Sequence, residues 1–294
     1  MRMLRAQSAM EYLMTYGWAI IIIAVALTAL YSIGVFNGSA PKTQGGACSI
    51  VRPEGPGTSQ FAQTSGLCNN EEPQFVASFT GVKTSNITSI PQNSFPMGDN
   101  AISVFAWVQT TQSTNYPWVF SYGNNPGSSS ACTAGTIWAL GIYSGHPTAE
   151  VCGTTTSSAN VVNDGKWHFI GFTYPGSGTT ATVYVDGASY SETLNVRPSV
   201  TFSGSASIGA GYVPSGSYFK GYVSNIQLYN TALSSNDVSA LYFEGIGGAP
   251  INAQATVGWW QLNGGPQDYS GNIYSGLTQN VIFISTWTSG YTVP

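Results

Sequence analysis

Residues 163–187 read NDGKWHFIGFTYPGSGTTATVYVDG, and their pattern decides the fold. Asn163-Asp164-Gly165-Lys166 has turn composition, because Asn and Asp side chains bond their own backbone two residues on. The turn feeds an apolar run, Trp167 to Tyr174, that stops at Pro175-Gly176. Beyond it, Ala181, Val183 and Val185 alternate with Thr182, Tyr184 and Asp186. That is the period of a half-buried strand. Asp186-Gly187 then suits a tight hairpin before Ala188-Ser189-Tyr190.

Working outward, similar runs recur, each ended by Gly, Pro, Ser or Asn: QFVASFTG, AISVFAWVQT, WVFSYG, TIWALGIYSG, ASIGAG, FKGYVSNIQLYN and ATVGWWQLN. A helical period occurs only in SSNDVSALY, Ser234 to Tyr242, where a serine can cap and Asp237 sits in the first turn. The expectation is an all-β sandwich from Gln74 onward, with Trp107, Trp138, Trp167 and Phe169 in its core.

SVFAWVQT, DGKWHFIGFTY, VYVDG and FKGYVSNIQLYNTALSSNDVSALY resemble the laminin G-like, concanavalin A-like jelly roll. The resemblance runs from about Phe75 to Tyr242 and implies an antiparallel β-sandwich. VGWWQLNGGPQDYSG, at 257–271, looks like the piece that ordinarily opens such a domain. It is expected to complete the same sheet from the C-terminal side, giving one sandwich over 74–294. The 24 residues after Ser270 are too few for a second core.

Charge narrows the function classes. The 294 residues include 8 Lys+Arg and 12 Asp+Glu, so 7% are charged, against about 25% in an ordinary globular chain. So few cations cannot form the stripe that neutralises a nucleic-acid backbone, so no nucleic-acid partner is expected. Aromatic residues at 13% exclude the usual disordered composition.

The N-terminus is different material. Tyr12 to Phe36 is uncharged and mostly apolar. As one helix it would extend roughly 37 Å, enough to cross a hydrocarbon core of about 30 Å. A cleaved secretory signal and a simple anchor both leave Glu11 unexplained. RAQSAMEYLMTYGWAIIIIAVALTALYSIGVF resembles an archaeal type IV pilin with a class III signal peptide. The resemblance implies a leader over 1–6, cleavage by prepilin peptidase between Ala6 and Gln7, and a helix over 7–36 that anchors in the membrane and then forms a filament core. It pairs Glu11 with the freed amine of Gln7 on a neighbouring copy. The Gly/Pro-rich stretch 37–73 would be the junction.

Site candidates are few. Cys48 with Cys68, and Cys132 with Cys152, share one spacing and are the preferred disulfides, although three connectivities are open. Asn37-Gly38-Ser39 and Asn86-Ile87-Thr88 are glycosylation sequons. Asp99, Asp164, Asp186 and Asp268 are candidate oxygen donors for Ca2+, Asp268 foremost, yet no dense acidic loop supplies the six to eight oxygens calcium takes. No strand carries paired acids of glycosidase type, Glu71-Glu72 lie in the junction, and His146 and His168 form no triad, so no catalytic residue and no enzyme is expected. Trp118, Tyr122 and Tyr143 are the candidate sugar-stacking rings.

The leading expectation is therefore a structural subunit of an archaeal type IV pilus-like extracellular filament. It would be a single-pass membrane protein before assembly, with the sandwich displayed outside. Its partners would be copies of itself, the assembly machinery and surface glycans. The second expectation is a membrane-tethered, lectin-like glycan-binding protein of the cell surface.

Overall fold

Strand β13, Lys220–Tyr229, is long enough to need different neighbours along its two halves. On one side β5 (Ile102–Gln109) pairs with it from Tyr222 to Tyr229. On the other side β3 (Val76–Thr80) pairs with Lys220–Val223, and β14 (Thr256–Trp260) with Ile226–Tyr229. The changeover falls where the β5 register shifts, between Ser224 and Gln227. Asn225 sits there at φ 50°, a left-handed conformation that Asn tolerates better than most residues. Its side chain anchors the bulge: Nδ2 donates to Gly248 O (2.7 Å), and Oδ1 accepts from Trp259 Nε1 (2.8 Å).

The computed structural model describes residues 20–26, 28, 48–51, 61–64, 73–113, 116–124, 132–152, 157–210 and 218–294. Helical residues 20–26 and 28 form α1, with exposed Ile20–Ile23 and Val25 side chains. Two short strands, β1 (Cys48–Val51) and β2 (Phe61–Thr64), make a two-stranded sheet.

The rest of the described chain is a two-sheet sandwich. The eight-stranded sheet runs β11 (Ala188–Thr193), β10 (Thr180–Val185), β9 (Trp167–Tyr174), β5, β13, β3 and β16 (Ile282–Ile284), with β14 on β13. The six-stranded sheet runs β15 (Leu277–Gln279), β4 (Asn86–Ile90), β12 (Ala206–Ile208), β6 (Trp118–Gly123), β7 (Ile137–Tyr143) and β8 (His146–Glu150). All the pairings are antiparallel. Strand alternation sends Val104, Ile170, Phe172 and Val183 of the large sheet against Phe120, Trp138, Leu140 and Ile208 of the small one. Trp138 stacks on Phe172 at 5.1 Å across this core.

The opposite face of the large sheet is also apolar over most of its length. Phe105, Trp107, Trp167, Phe169, Tyr184 and Tyr229 pack there under α2 (Ser235–Phe243) and the C-terminal Trp287. Helix α2 begins with a capping box, in which Ser234 Oγ accepts from Asp237 N and Asp237 Oδ2 accepts from Ser234 N.

The long N-terminal membrane-crossing helix expected over 7–36 is corrected. Among the described residues, no helix is long and apolar enough to cross a membrane.

Two polar clasps close the sandwich rim. Glu192 of β11 is 1% exposed. It accepts from Thr148 Oγ1 (2.7 Å) and Ala149 N (3.2 Å) of β8, joining the edges of the two sheets. His168 bridges the turn at 163–166 and the β10–β11 turn. Its Nδ1 lies 2.7 Å from Asp186 Oδ2 and its Nε2 3.0 Å from Asp164 Oδ1. Burial opposes its charged form, but the hydrogen bonds and charges of Asp186 and Asp164 outweigh that and raise its pKa. Asp164 is lowered: burial works against this, and the Lys166 N–H and His168 overcome it.

Two outcomes follow from these clasps. Glu192→Ala removes the carboxylate that accepts from the Ala149 N–H and the Thr148 hydroxyl, and should lower the unfolding free energy by about 1–3 kcal/mol in urea titrations. The imidazolium of His168 stabilises fully below its ordinary pKa of about 6.5, and that contribution is lost as pH rises through the raised folded value. Wild-type Tm should therefore fall between pH 6 and pH 9 more steeply than that of His168→Asn. Equal slopes would show that the clasp does not titrate in this range.

Candidate functional site

A concavity of about 460 Å³ opens at one end of the large sheet. Three neighbouring strands build it: Ser78, Phe79 and Thr80 from β3, Gln109 from β5, and Lys220, Gly221 and Tyr222 from β13. Thr110, Thr111 and Gly165 complete the wall. Register explains the gathering, because Ser78, Tyr222 and Gln109 are cross-strand partners. The alternation that covers Trp107 with α2 and the C-terminal segment turns Gln109, two residues on, to the same face beyond the covering.

Close backbone approach fixes the floor. Gly221 has φ +143°, and a Cβ there would lie 2.2 Å from Gln109 O. Only glycine lets β13 lie this close to β5 at this point. Gln109 Nε2 donates to Gly165 O and Ser289 O, both at 2.7 Å, tying the 163–166 turn and the C-terminal segment to the wall. Thr110 Oγ1 donates to Lys220 O (2.7 Å), and Lys220 N donates to Gln112 Oε1 (2.8 Å). Tyr222 is half-buried, and the Trp167 ring stacks on it at 6.4 Å.

The scaffold is thus held by its own hydrogen bonds while other polar groups of the lining remain available. Among the described residues, the hydroxyls of Ser78, Thr80, Thr111 and Tyr222 and the Gln109 Oε1 have no protein partner. Lys220 is the one charged side chain of the lining, and no acid stands with it.

The residues singled out in the sequence lie elsewhere. Trp118 is 2% exposed in a small cluster with Ile137 and Ala139 on the outer face of the small sheet. Tyr122 is 1% exposed in the core between the sheets, its hydroxyl donating to Pro96 O (2.9 Å). Neither offers a ring to a sugar, because strand alternation and packing cover both. Tyr143 is half-buried and lies against Tyr116 with ring centres 4.8 Å apart. Cys132 is bonded to Cys152, beside the Trp118 cluster. Cys48 begins β1, and Cys68 lies outside the described residues, as do Ala6, Gln7, Glu11 and Asn37.

Asn86 is corrected as a glycan acceptor on the folded domain. It is 6% exposed, and its Nδ2, the atom a glycan would occupy, donates to Lys83 O (2.7 Å). Asp268 does not fit calcium. Its Oδ1 accepts from Trp259 N and Ser270 N, and its Oδ2 from Ser270 Oγ and Tyr274 N, all within 2.9 Å. A cation would have to displace N–H and O–H donors that already hold the loop. Asp164 and Asp186 are held by His168, and Asp99 by Arg197. Among the described residues, no group of three or more His, Cys, Asp or Glu could hold a metal ion. The concavity carries no carboxyl pair, so no active-site signature accompanies it.

Comparison with known proteins gives the fold a lineage. Residues 81–239 match the family described as the Concanavalin A-like lectin/glucanases superfamily. No curated protein matches the sequence. A candidate carbohydrate-binding protein from Bacteroides ovatus superposes with a TM-score of 0.53 at 14% identity, over 76% of this chain and 66% of its own. Domains LG4-5 of the mouse laminin alpha1 chain give 0.41 at 16%, over 67% and 48%. The heptameric SAP-like pentraxin of Limulus polyphemus gives 0.41 at 15%, over 74% and 94%. At these identities the likeness is one of fold. The chain spans about two thirds of the Bacteroides structure and about half of the laminin pair.

These findings overturn the reading as an archaeal type IV pilin. The family match falls on the sandwich, and so does the fold likeness to the Bacteroides structure. The pilus filament, the prepilin machinery as partner and the single-pass membrane location rested on that reading and are corrected with it. With 81–239 matched, more than half of its length, the chain belongs to the concanavalin A-like lectin/glucanase superfamily.

Proposed function

We propose that the sandwich is a non-catalytic carbohydrate-binding domain whose ligand lies in the concavity of β3, β5 and β13. The observation that carries this reading is the composition of that wall. A half-buried tyrosine backed by tryptophan stands among four hydroxyls and an amide oxygen without protein partners. A sugar has apolar C–H faces and a rim of hydroxyls, so it needs both kinds of surface at once. The volume of about 460 Å³ suits one or two sugar rings. The fold likeness to a candidate carbohydrate-binding protein supports the same class. The Cys132–Cys152 disulfide is of the kind that persists outside the reducing cytosol, where glycans are displayed.

Binding is measured by calorimetry after a glycan panel has selected a ligand. Tyr222→Ala should weaken binding about tenfold or more, the loss of roughly 1.4 kcal/mol expected from removing one ring contact. Tyr222→Phe should retain most of the affinity. A folded Tyr222→Ala that binds as tightly as wild type would place the ligand elsewhere.

A further inference from the structure

We infer that the ligand of this concavity is an anionic sugar, one carrying a carboxylate or sulfate that Lys220 receives. The inference rests on the proposed glycan site and assigns its charge class.

Three observations carry it. The lining contains one formal charge, the Lys220 ammonium, in a protein whose acids outnumber its bases by 12 to 8. Of the four cations among the described residues, Lys166 is paired with Asp164 and Arg197 with Asp99, whereas Lys220 and Lys83 form no salt bridge. A surface poor in cations has left one unneutralised beside the uncommitted hydroxyls.

The lysine is also positioned. Its backbone is held on both sides, by Gln112 Oε1 and by the Thr110 hydroxyl. Gly81, at φ +79°, gives its side chain room: a Cβ at 81 would lie 2.8 Å from Lys220 Cβ. The bare glycine backbone therefore flanks the lysine stem at the mouth of the site. Lys83, the second unpaired cation, follows two residues later on the same turn. Neutral sugars need no such group, and a cationic ligand would be repelled by it. An anionic substituent on a ring lying against Tyr222 gains a charge-assisted bond at the partly screened edge of the pocket.

The full chain is titrated with matched pairs: sialyllactose against lactose, oligogalacturonate against its carboxyl-reduced form, and sulfated lactose against lactose. The inference expects the charged member of at least one pair to bind tenfold or more tightly, with the preference shrinking in 500 mM NaCl. Lys220→Gln should remove the preference, and Lys220→Arg should retain it. The uronate, sialyl and sulfate arms identify which anion is read. Binding that depends on Tyr222 but ignores charge would overturn this inference and leave the glycan site standing. A charge preference that survives Lys220→Gln would overturn it too. No binding by any member would overturn both.

Discussion

The architecture depends on how β13 satisfies its backbone on both sides. Ten residues long, it is flanked by β5 along one edge and by two separate strands along the other. Unpaired backbone groups in a core strand are costly, so the changeover has to be closed by something other than the ladder. Asn225 closes it with its side chain, and Asn225 N donates to Gln261 O. The consequence is that a C-terminal segment, Thr256–Trp260, becomes an interior part of the sheet. Trp260 then reaches the core against Phe120 at 5.4 Å. From there the chain supplies β15 to one sheet and β16 to the other, so that both edges are finished by the last residues.

The same division produces the concavity. β14 occupies only the second half of that edge, and α2 with Trp287 covers the aromatic part of the face. Lys220–Tyr222 and their partners on β3 and β5 project past the covering. A chain with 7% charged residues solvates such a surface with hydroxyls and amides. Those groups exchange water for a polyol at little net cost, whereas the tyrosine supplies the contact that water does not. The His168 clasp reaches the same wall from outside it, through Asp164 on the turn that carries Gly165.

The sandwich was legible because its central strands obey one rule throughout. Ala181, Val183 and Val185 face the core, and Tyr184 faces out, as their alternation reads. β8 was missed because His146-Pro147 reads as a loop. The strand lies at the outer edge of its sheet, where proline's missing N–H does no harm. β15 and β16 have three residues each and exposed or half-exposed side chains, so they carry almost no pattern. The site was not legible for a different reason. Its residues come from segments about thirty to a hundred and forty positions apart and are unremarkable singly; register alone assembles them. The aromatic signal misled in the opposite direction: Trp118 and Tyr122 are large and adjacent to turns, yet packing buries both. The apolar run after Glu11 suggested a filament subunit by resemblance, whereas the family match falls on the sandwich.

The central claim is the location of the ligand, and amide chemical-shift mapping tests it most directly. Isotope-labelled protein is titrated with the glycan that binds best. The account predicts that the largest shifts fall on Ser78–Thr80, Gln109–Thr111, Gly165 and Lys220–Tyr222, contiguous in space and dispersed in sequence. Shifts centred instead on Tyr116 and Tyr143, across the sandwich, would contradict it.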